Sequence, residues 1–263
     1  MCRREPFFCE SASRGAISVK RTPVPMAREE CVQGGSHTNM LLVELDDIAY
    51  PDCLDLQRSL ARRRIAGSGP DVLLVVSHPS TVTLGVRGRT SDLLVPEEAL
   101  GSLGVALYRS DRGGEATYHG PGQLVCYPVV DLRGLGLSAR AYVHALEETI
   151  LKTLGAFAIQ GFRQKGKPGV WVSGTEKIAS IGVRIDRRVA YHGFSLNVSL
   201  EHNPSRFVIS CGMPETRHVS MNELSVAPVT MGVVKPHLLR CFREVFGVTL
   251  EPSSAEQAVG DLG

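Results

Sequence analysis

Patterns typical of β-strands and α-helices are mixed along this chain of 263 residues, and they do not alternate strictly. A doubly wound parallel sheet needs strand and helix to follow each other in turn, so this order disfavours it. The sequence instead predicts an α+β fold, a mixed sheet with flanking helices. The predicted strands are 41–45, 71–78, 81–85, 105–109, 124–132, 170–172, 177–185 and 189–198, and the predicted helices are 48–66, 96–103, 138–154 and 230–246.

Composition and charge exclude several classes of function. The chain is 43% hydrophobic and 21% charged, close to an average globular protein, and its formal net charge is +2. Such a small charge does not favour nucleic acid or an anionic membrane as the main partner. No apolar run approaches the ~20 residues of a membrane helix. The seven cysteines are irregularly spaced without a CxxC pair, so we expect no metal site, no disulfide framework and a reducing compartment.

One catalytic domain is expected to cover residues 40–252. The segment 1–39 precedes the first strong strand pattern and lacks apolar periodicity, so we expect a disordered or non-essential extension there. Its basic residues faintly resemble a transit peptide, but four glutamates argue against one. The segment 253–263 is small and polar, and a flexible tail is expected.

A glycine-dense segment, RGGEATYHGPGQ at 112–123, is the strongest local signal in the chain. Glycine at this density allows the backbone to approach a ligand closely and to adopt positive φ angles. The spacing is neither GxxxxGK(S/T) nor GxGxxG, so a phosphate-binding loop is not supported. A tight connection between two strands would explain the glycines but not the polar Arg112, Thr117, Tyr118 and His119. We therefore expect a loop that binds or reacts with a ligand.

Several further motifs follow in a consistent order. The glycine-dense segment precedes an apolar strand that contains Tyr127. The others are HPSTVTLG at 78–85, GVW at 169–171, KIASIG at 177–182, HGFSLNV at 192–198 and ISCGM at 209–213. Together they resemble the lipoyl(octanoyl) transferase family over about residues 41 to 250. The resemblance implies a fold similar to the catalytic domain of biotin and lipoate protein ligases.

The family uses a cysteine nucleophile and a lysine that activates it, and the resemblance assigns these roles to Cys211 and Lys177. A free thiol has a pKa of about 8.5, and an ammonium within ~4–6 Å would favour the thiolate. Burial would favour a neutral pair, so the sequence leaves the protonation state of the pair open. Two positions depart from the family pattern without touching the reacting groups: Ser210 stands where proline is frequent, and Tyr191 where phenylalanine is usual.

The resemblance also implies substrate contacts in three stretches. We expect Trp171 to belong to the core and His192 to position the hairpin that carries the third stretch. The implied contacts are Arg112, Gly113, Gly114, Glu115, Ala116, Thr117, Tyr118 and His119; Ser180, Ile181 and Gly182; and Gly193, Phe194 and Ser195.

The implied reaction is octanoyl (or lipoyl) transfer in lipoate biosynthesis, through a cysteine thioester and without a cofactor. The donor would be octanoyl-acyl carrier protein. The acceptors would be lipoyl domains of 2-oxoacid dehydrogenase complexes and the H protein of glycine cleavage, with no nucleic acid or membrane partner. A bacterial-type cytoplasm is expected, with the mitochondrial matrix as the alternative.

Other functions stay open at this point. An ATP-dependent lipoate or biotin-type protein ligase would share the fold but would not need Cys211. An amidotransferase that moves octanoyl groups between carrier proteins would form the same product. A thioesterase would use water in place of the amine. A non-catalytic acyl-binding scaffold is disfavoured because both Cys211 and Lys177 are present.

Overall fold

The computed structural model describes residues 38–209 and 213–260. Residues 1–37, within the predicted extension, lie outside the described residues, as do 210–212 with Cys211 and 261–263. None of the described helices is both long enough and apolar enough to span a membrane. The elements are β1 Thr38–Leu45, α1 Tyr50–Ile65, β2 Asp71–Val76, β3 Thr81–Leu84, α2 Glu97–Leu100, β4 Ala106–Arg109, β5 Ala116–His119, β6 Gln123–Asp131, α3 Ala139–Gly155, β7 Phe162–Gln164, β8 Lys167–Trp171, β9 Glu176–Asp186, β10 Val189–Asn197, β11 Arg217–His218, α4 Met221–Leu224, α5 Met231–Phe246, β12 Val248–Pro252 and α6 Ala255–Val259, with short 3-10 turns at Thr90–Asp92, Gly101–Leu103 and Pro204–Arg206.

The larger sheet has the strand order β12-β1-β2-β6-β10-β9-β8-β7, and the two-residue β11 pairs with β9. β1 runs parallel to both β12 and β2, and β11 runs parallel to β9. The remaining neighbours, from β2 across to β7, are antiparallel. This combination confirms the predicted α+β class with a mixed sheet.

Helices cover both faces of the sheet, which explains the unbroken apolar run of β2. Leu73 and Val75 pack into a core cluster that includes residues of α3 and α5. Val72 and Leu74 pack into a second cluster with residues of α1 and α6. Successive side chains of a strand point to opposite faces, so a strand between two helical layers must be apolar at nearly every position.

A smaller three-stranded sheet, in the order β4-β3-β5, lies beside the larger one. Its β3 pairs with β4 and β5, whereas β2, the strand before it in the chain, pairs with β1 and β6 in the larger sheet. The segment predicted as a glycine-dense loop is therefore partly a strand, β5. It forms because Ala116 and Tyr118 are buried in a third core cluster together with Phe207.

Five other elements lie where the sequence predicted none: β7, β11, α4, β12 and α6. α6 falls within 253–263, where a flexible tail was expected. Its first turn is closed by a capping box, in which Ser254 accepts from Gln257 N and the Gln257 side chain accepts from Ser254 N. Ala258, 1% exposed, packs into the core cluster that holds α1. A buried apolar contact and a cap order this part of the tail.

Candidate active site

The glycine-dense segment docks its first residues onto strand β9. The amide of Gly113 donates to the carbonyl of Val183 at 3.0 Å. A Cβ built on Gly182 would lie 2.8 Å from the Gly113 carbonyl oxygen, closer than real Cβ contacts allow. Gly114 has φ +96°, a backbone conformation that residues with a side chain rarely adopt. Glycine at these positions therefore allows two backbones to meet at the site.

Arg112 holds this docked turn against the end of β3. Its Nε donates to Thr83 Oγ1 at 3.1 Å, and its Nη2 donates to the Thr83 carbonyl at 2.7 Å. The guanidinium also donates to the carbonyls of Gly113 and Glu115 at 3.1 and 2.9 Å. The residue is 6% exposed, and it lines the smaller of the two cavities described below. Arg112 therefore shapes the backbone of the loop in addition to facing the cavity.

His119 is held in one tautomer by a chain of amide side chains. Gln123 Nε2 donates to the Tyr118 carbonyl at 3.2 Å and to Asn197 Oδ1 at 2.9 Å. This orients Gln123 Oε1 to accept from His119 Nδ1 at 2.8 Å. Burial lowers the pKa of His119 well below its ordinary value, aided by the nearby His78. The ring is therefore neutral with its proton on Nδ1, and Nε2 is the unprotonated nitrogen.

Two cavities open along β9 and share Ile181 and Gly182. The smaller, about 20 Å³, is lined by members of all three predicted stretches, and only Tyr127 among its lining residues lies outside them. The larger, about 280 Å³, begins at Gly113, Gly114 and Glu115. The structure thus brings the three stretches together around two adjacent cavities. The residues lining the larger cavity that lie outside the three predicted stretches are Arg87, Val143, Gly166, Lys167, Pro168, Val183 and Met213.

Two residues of the predicted stretches line neither cavity: Ala116 and Tyr118. The Tyr118 ring stacks on Phe207 with 5.1 Å between centroids, and its hydroxyl lies 3.0 Å from Ser80 Oγ. Ala116 is 4% exposed in the same core cluster. Their side chains therefore support β5, and neither faces the space where a substrate would lie.

Lys177, on β9, is 1% exposed. Its Nζ lies 5.2 Å from the centroid of the Trp171 ring, within the range in which an aromatic face attracts a cation. Trp171 Nε1 donates to the Lys167 carbonyl at 3.3 Å, which fixes the ring. A Cβ at Gly169 would lie 2.7 Å from Lys177 Cε, so glycine makes room for the lysine stem. Trp171 is a fully buried core residue, as predicted, and it also contacts the predicted catalytic lysine.

His218 lies beside Lys177 in the register between β11 and β9. Burial lowers the pKa of His218 to about 3, and the charge of Lys177 acts in the same direction. His218 is therefore neutral at pH 7.

The chain on both sides of Cys211 can be followed. Before it, the amide of Ile209 donates to the Asp92 carbonyl at 2.8 Å. After it, Met213 lines the larger cavity, and β11 then pairs with β9. The amide of Val219 donates to the Lys177 carbonyl at 3.0 Å. The segment that follows Cys211 therefore runs along the strand that carries Lys177.

His192 links the β10 hairpin to the residue before Arg112. It is 1% exposed and has φ +55°, which is uncommon for a residue with a side chain. Its Nε2 donates to Asp111 Oδ1 at 3.0 Å, and the Tyr191 hydroxyl donates to Asp111 Oδ2 at 2.5 Å. The hydrogen bond from His192 lowers the pKa of Asp111 most, and burial opposes it. These contacts suit the positioning role expected for His192.

Comparison with known proteins gives the family of the chain. Residues 49–243 match the family model described as the lipoyl protein ligase A/B catalytic domain. The octanoyltransferase of Solibacter usitatus is 40% identical over 218 residues, which cover 82% of this chain and 97% of that protein. The octanoyltransferase of Gloeobacter violaceus is 38% identical over 217 residues, 82% of this chain and 94% of that protein.

Among solved structures, a bipartite lipoate protein ligase from Thermoplasma acidophilum has a TM-score of 0.66 at 16% identity. The match covers 85% of this chain and 91% of that one. At this identity the likeness concerns the fold alone, and it confirms the expected similarity to lipoate protein ligases. With 40% identity to an octanoyltransferase over nearly that protein's whole length, this chain belongs to the octanoyltransferase family and is an acyltransferase built on the lipoyl protein ligase A/B catalytic domain.

Proposed function

We propose that this chain transfers an octanoyl (or lipoyl) group from acyl carrier protein to one lysine of a lipoate-dependent domain, through a thioester on Cys211. The acceptors are lipoyl domains of 2-oxoacid dehydrogenase complexes and the glycine cleavage H protein. The observation that carries the proposal is the burial of Lys177, 1% exposed, on the strand that pairs with the segment following Cys211.

Burying an ammonium costs several kcal/mol, so a lysine in this position needs compensation from its surroundings. The face of the Trp171 ring attracts the Lys177 charge, and His218, being neutral, adds no repulsion. In a medium of low dielectric constant the ammonium stabilises a nearby anion more strongly than it would in water. A thiolate at Cys211 and the oxyanion of a tetrahedral intermediate are the anions that the reaction requires.

In the first half-reaction, the Cys211 thiolate attacks the thioester carbonyl of the donor. The tetrahedral intermediate collapses as the bond to the carrier's thiol breaks, and that leaving thiolate takes a proton from the Lys177 ammonium. The acyl chain lies in the larger cavity, whose walls include Val143, Ile181 and Val183. One thioester replaces another, so the step is nearly neutral in energy.

In the second half-reaction, the neutral amine of the acceptor lysine attacks the Cys211 thioester. An amide bond forms, Cys211 leaves as the thiolate, and the nitrogen loses one proton to a base. That base is the Lys177 amine, which is neutral at this stage because it gave its proton to the carrier's thiolate in the first half-reaction. Conversion of a thioester to an amide is downhill, so neither ATP nor a cofactor is needed.

The test is an intact-mass measurement after incubation with octanoyl-acyl carrier protein in the absence of ATP. The enzyme should gain the mass of one octanoyl group and lose it when an acceptor domain is added. Cys211→Ala is the control and should gain nothing. Loss of the acyl group to water without an acceptor would identify a thioesterase, and an unchanged mass would overturn the proposal.

A second candidate is an ATP-dependent lipoate ligase, because several solved structures with a similar fold are described as lipoate protein ligases. One is described as lipoate-protein ligase A bound with ATP, with a TM-score of 0.63 at 15% identity. Such an enzyme would modify the acceptor only with free octanoate or lipoate and ATP, and Cys211→Ala would remain active. An octanoyl amidotransferase would accept the octanoylated H protein as a donor, which a labelled acyl group on that protein would detect.

A further inference from the structure

A basic groove adjoins the larger cavity on the surface of the protein. We use this name for the space of about 640 Å³ between the first turns of α3 and the β7–β8 hairpin. The groove and the larger cavity share Val143, Gly166, Lys167 and Pro168. A ligand whose acyl end lies in the cavity can therefore extend into the groove across a common rim. The ionisable residues that line the groove are Arg140, His144, Glu147, Arg163, Lys165 and Lys167.

The groove concentrates positive charge in a chain whose net charge is only +2. Its one lining carboxylate, Glu147, accepts from Arg163 Nε at 3.1 Å, and Arg163 Nη2 also donates to Glu148 at 2.5 Å. Within the described ranges, Arg140, Lys165 and Lys167 form no ion pair. Three positive charges therefore remain unneutralised at the mouth of the cavity.

The β7–β8 hairpin, which carries Lys165 and Lys167, is held in place. Glu147 Oε1 accepts from the amide of Gly169 at 3.2 Å, which ties α3 to β8. Lys167 and Gln164 pair across a two-residue turn whose Gly166 has φ +78°. The Lys167 Nζ lies 5.6 Å from the Trp171 ring centroid, on the same indole that Lys177 contacts. The hairpin backbone is thus fixed, and Lys167 lies close to the predicted catalytic lysine.

We propose that the basic groove binds the anionic part of the acyl donor, the phosphodiester of its pantetheine arm and the acidic surface of its carrier protein. The proposal rests on the proposed function and names the surface through which the donor docks. The donor thioester is joined to its carrier through a phosphodiester, so an anion follows the acyl group out of the cavity. The acceptor instead presents a lysine, which unneutralised cations would repel.

The test separates the two half-reactions. Arg140→Glu with Lys165→Glu reverses two charges that line the groove but not the cavity. Arg62→Glu, at an exposed position on α1 on the other face of the sheet, is the control, and it matches the net-charge change of each single variant, Arg140→Glu and Lys165→Glu. The donor concentration for half-maximal acyl-enzyme formation should rise roughly tenfold in the double variant at low salt and stay unchanged in the control. Added salt should reduce the difference in this donor concentration between the double variant and wild type, because exposed charges are screened.

Three donors identify the anion that the groove recognises. Octanoyl-pantetheine, without phosphate, should react equally with both variants and wild type. With octanoyl-phosphopantetheine, the double variant should need a higher donor concentration than wild type because of the phosphate alone. With the whole carrier protein, the further increase in that concentration measures the contribution of the protein surface. Transfer from the preformed acyl-enzyme to an acceptor domain should keep its rate. Slower acceptor transfer with normal acylation would assign the groove to the acceptor and overturn the proposal.

Direct binding of the carrier protein, followed by fluorescence anisotropy, distinguishes this proposal from the proposed function. Salt-sensitive binding that the double variant loses would support the groove even if no acyl-enzyme formed. Equal binding by wild type and both variants would overturn the groove even if acylation proceeded normally.

Discussion

Replacing Gly169 by alanine should disrupt the packing around the Lys177 side chain. Gly169 has φ +119°, well beyond the left-handed region near +50 to +70° that some non-glycine residues occupy. The new Cβ would lie 2.5 Å from the Ala179 carbonyl oxygen and 2.7 Å from Lys177 Cε. Neither neighbour yields without cost, because the first is sheet backbone and the second is a fully buried side chain.

Backbone strain of this kind costs of order 1–3 kcal/mol, and overpacking costs another ~1–3 kcal/mol. We therefore expect a loss of roughly 2–6 kcal/mol from a stability that is typically about 5–15 kcal/mol. Gly104→Ala is the matched control, because Gly104 has φ +69° and a Cβ added there would meet no atom within 4 Å. That variant should lose only ~1–2 kcal/mol of stability, the cost of placing a residue with a side chain in the left-handed conformation.

Urea denaturation gives the free energy of unfolding of each variant. The rate of acyl-enzyme formation per folded molecule shows whether the active site is damaged. Gly169→Ala should form the acyl-enzyme more slowly even at temperatures where it is fully folded, since relief of the contact must move the Lys177 stem. Gly104→Ala should keep the wild-type rate. Equal stabilities and equal rates for the two variants would refute the close packing around Lys177.

Three further predictions concern the chemistry. Cys211→Ala should abolish the acyl-enzyme, whereas Cys126→Ala and Cys241→Ala should retain it because both thiols are buried; an octanoyl group mapped to Cys126 would contradict this. Lys177→Arg should keep much of the thiol reactivity towards iodoacetamide yet fail to transfer to the acceptor, because arginine does not readily give up its proton; wild-type turnover would assign the relay elsewhere. The pKa of His218 is about 3 when folded and ~6.5 when unfolded, so only the unfolded chain gains this proton as pH falls. Stability should decline below pH ~6.5 by up to ~1.4 kcal/mol per pH unit from this residue, and His218→Gln should flatten the urea-midpoint profile.

Some elements were predictable because their patterns are local. β2 is an unbroken apolar run bounded by a loop and a turn, and α3 begins at Ser138, whose side chain caps the helix by accepting from Ala141 N. β12 was missed because it is short and pairs with β1, some two hundred residues away in the chain. β7 was missed because its three residues form an edge strand with little burial. Short segments take their conformation from partners that local periodicity does not reveal.

The motifs alone pointed to Lys177, the glycine-dense segment and the three stretches, since each carries several unusual residues in a compact order. The tertiary structure decided how these residues are used. It separated Ala116 and Tyr118 from the cavities by burying them in a core. It added Val143 and Pro168, which belong to no site motif, to the cavity wall.

The sequence by itself determined the α+β class, the family resemblance and the residues that can carry the chemistry, because these depend on local patterns and on residue identity. Only the tertiary structure decided that Lys177 is buried against Trp171, and that Arg140, Lys165 and Lys167 line one groove. Burial and local charge depend on which distant segments pack together. A net charge of +2 gives no sign of such a cluster, since opposite charges elsewhere in the chain cancel it.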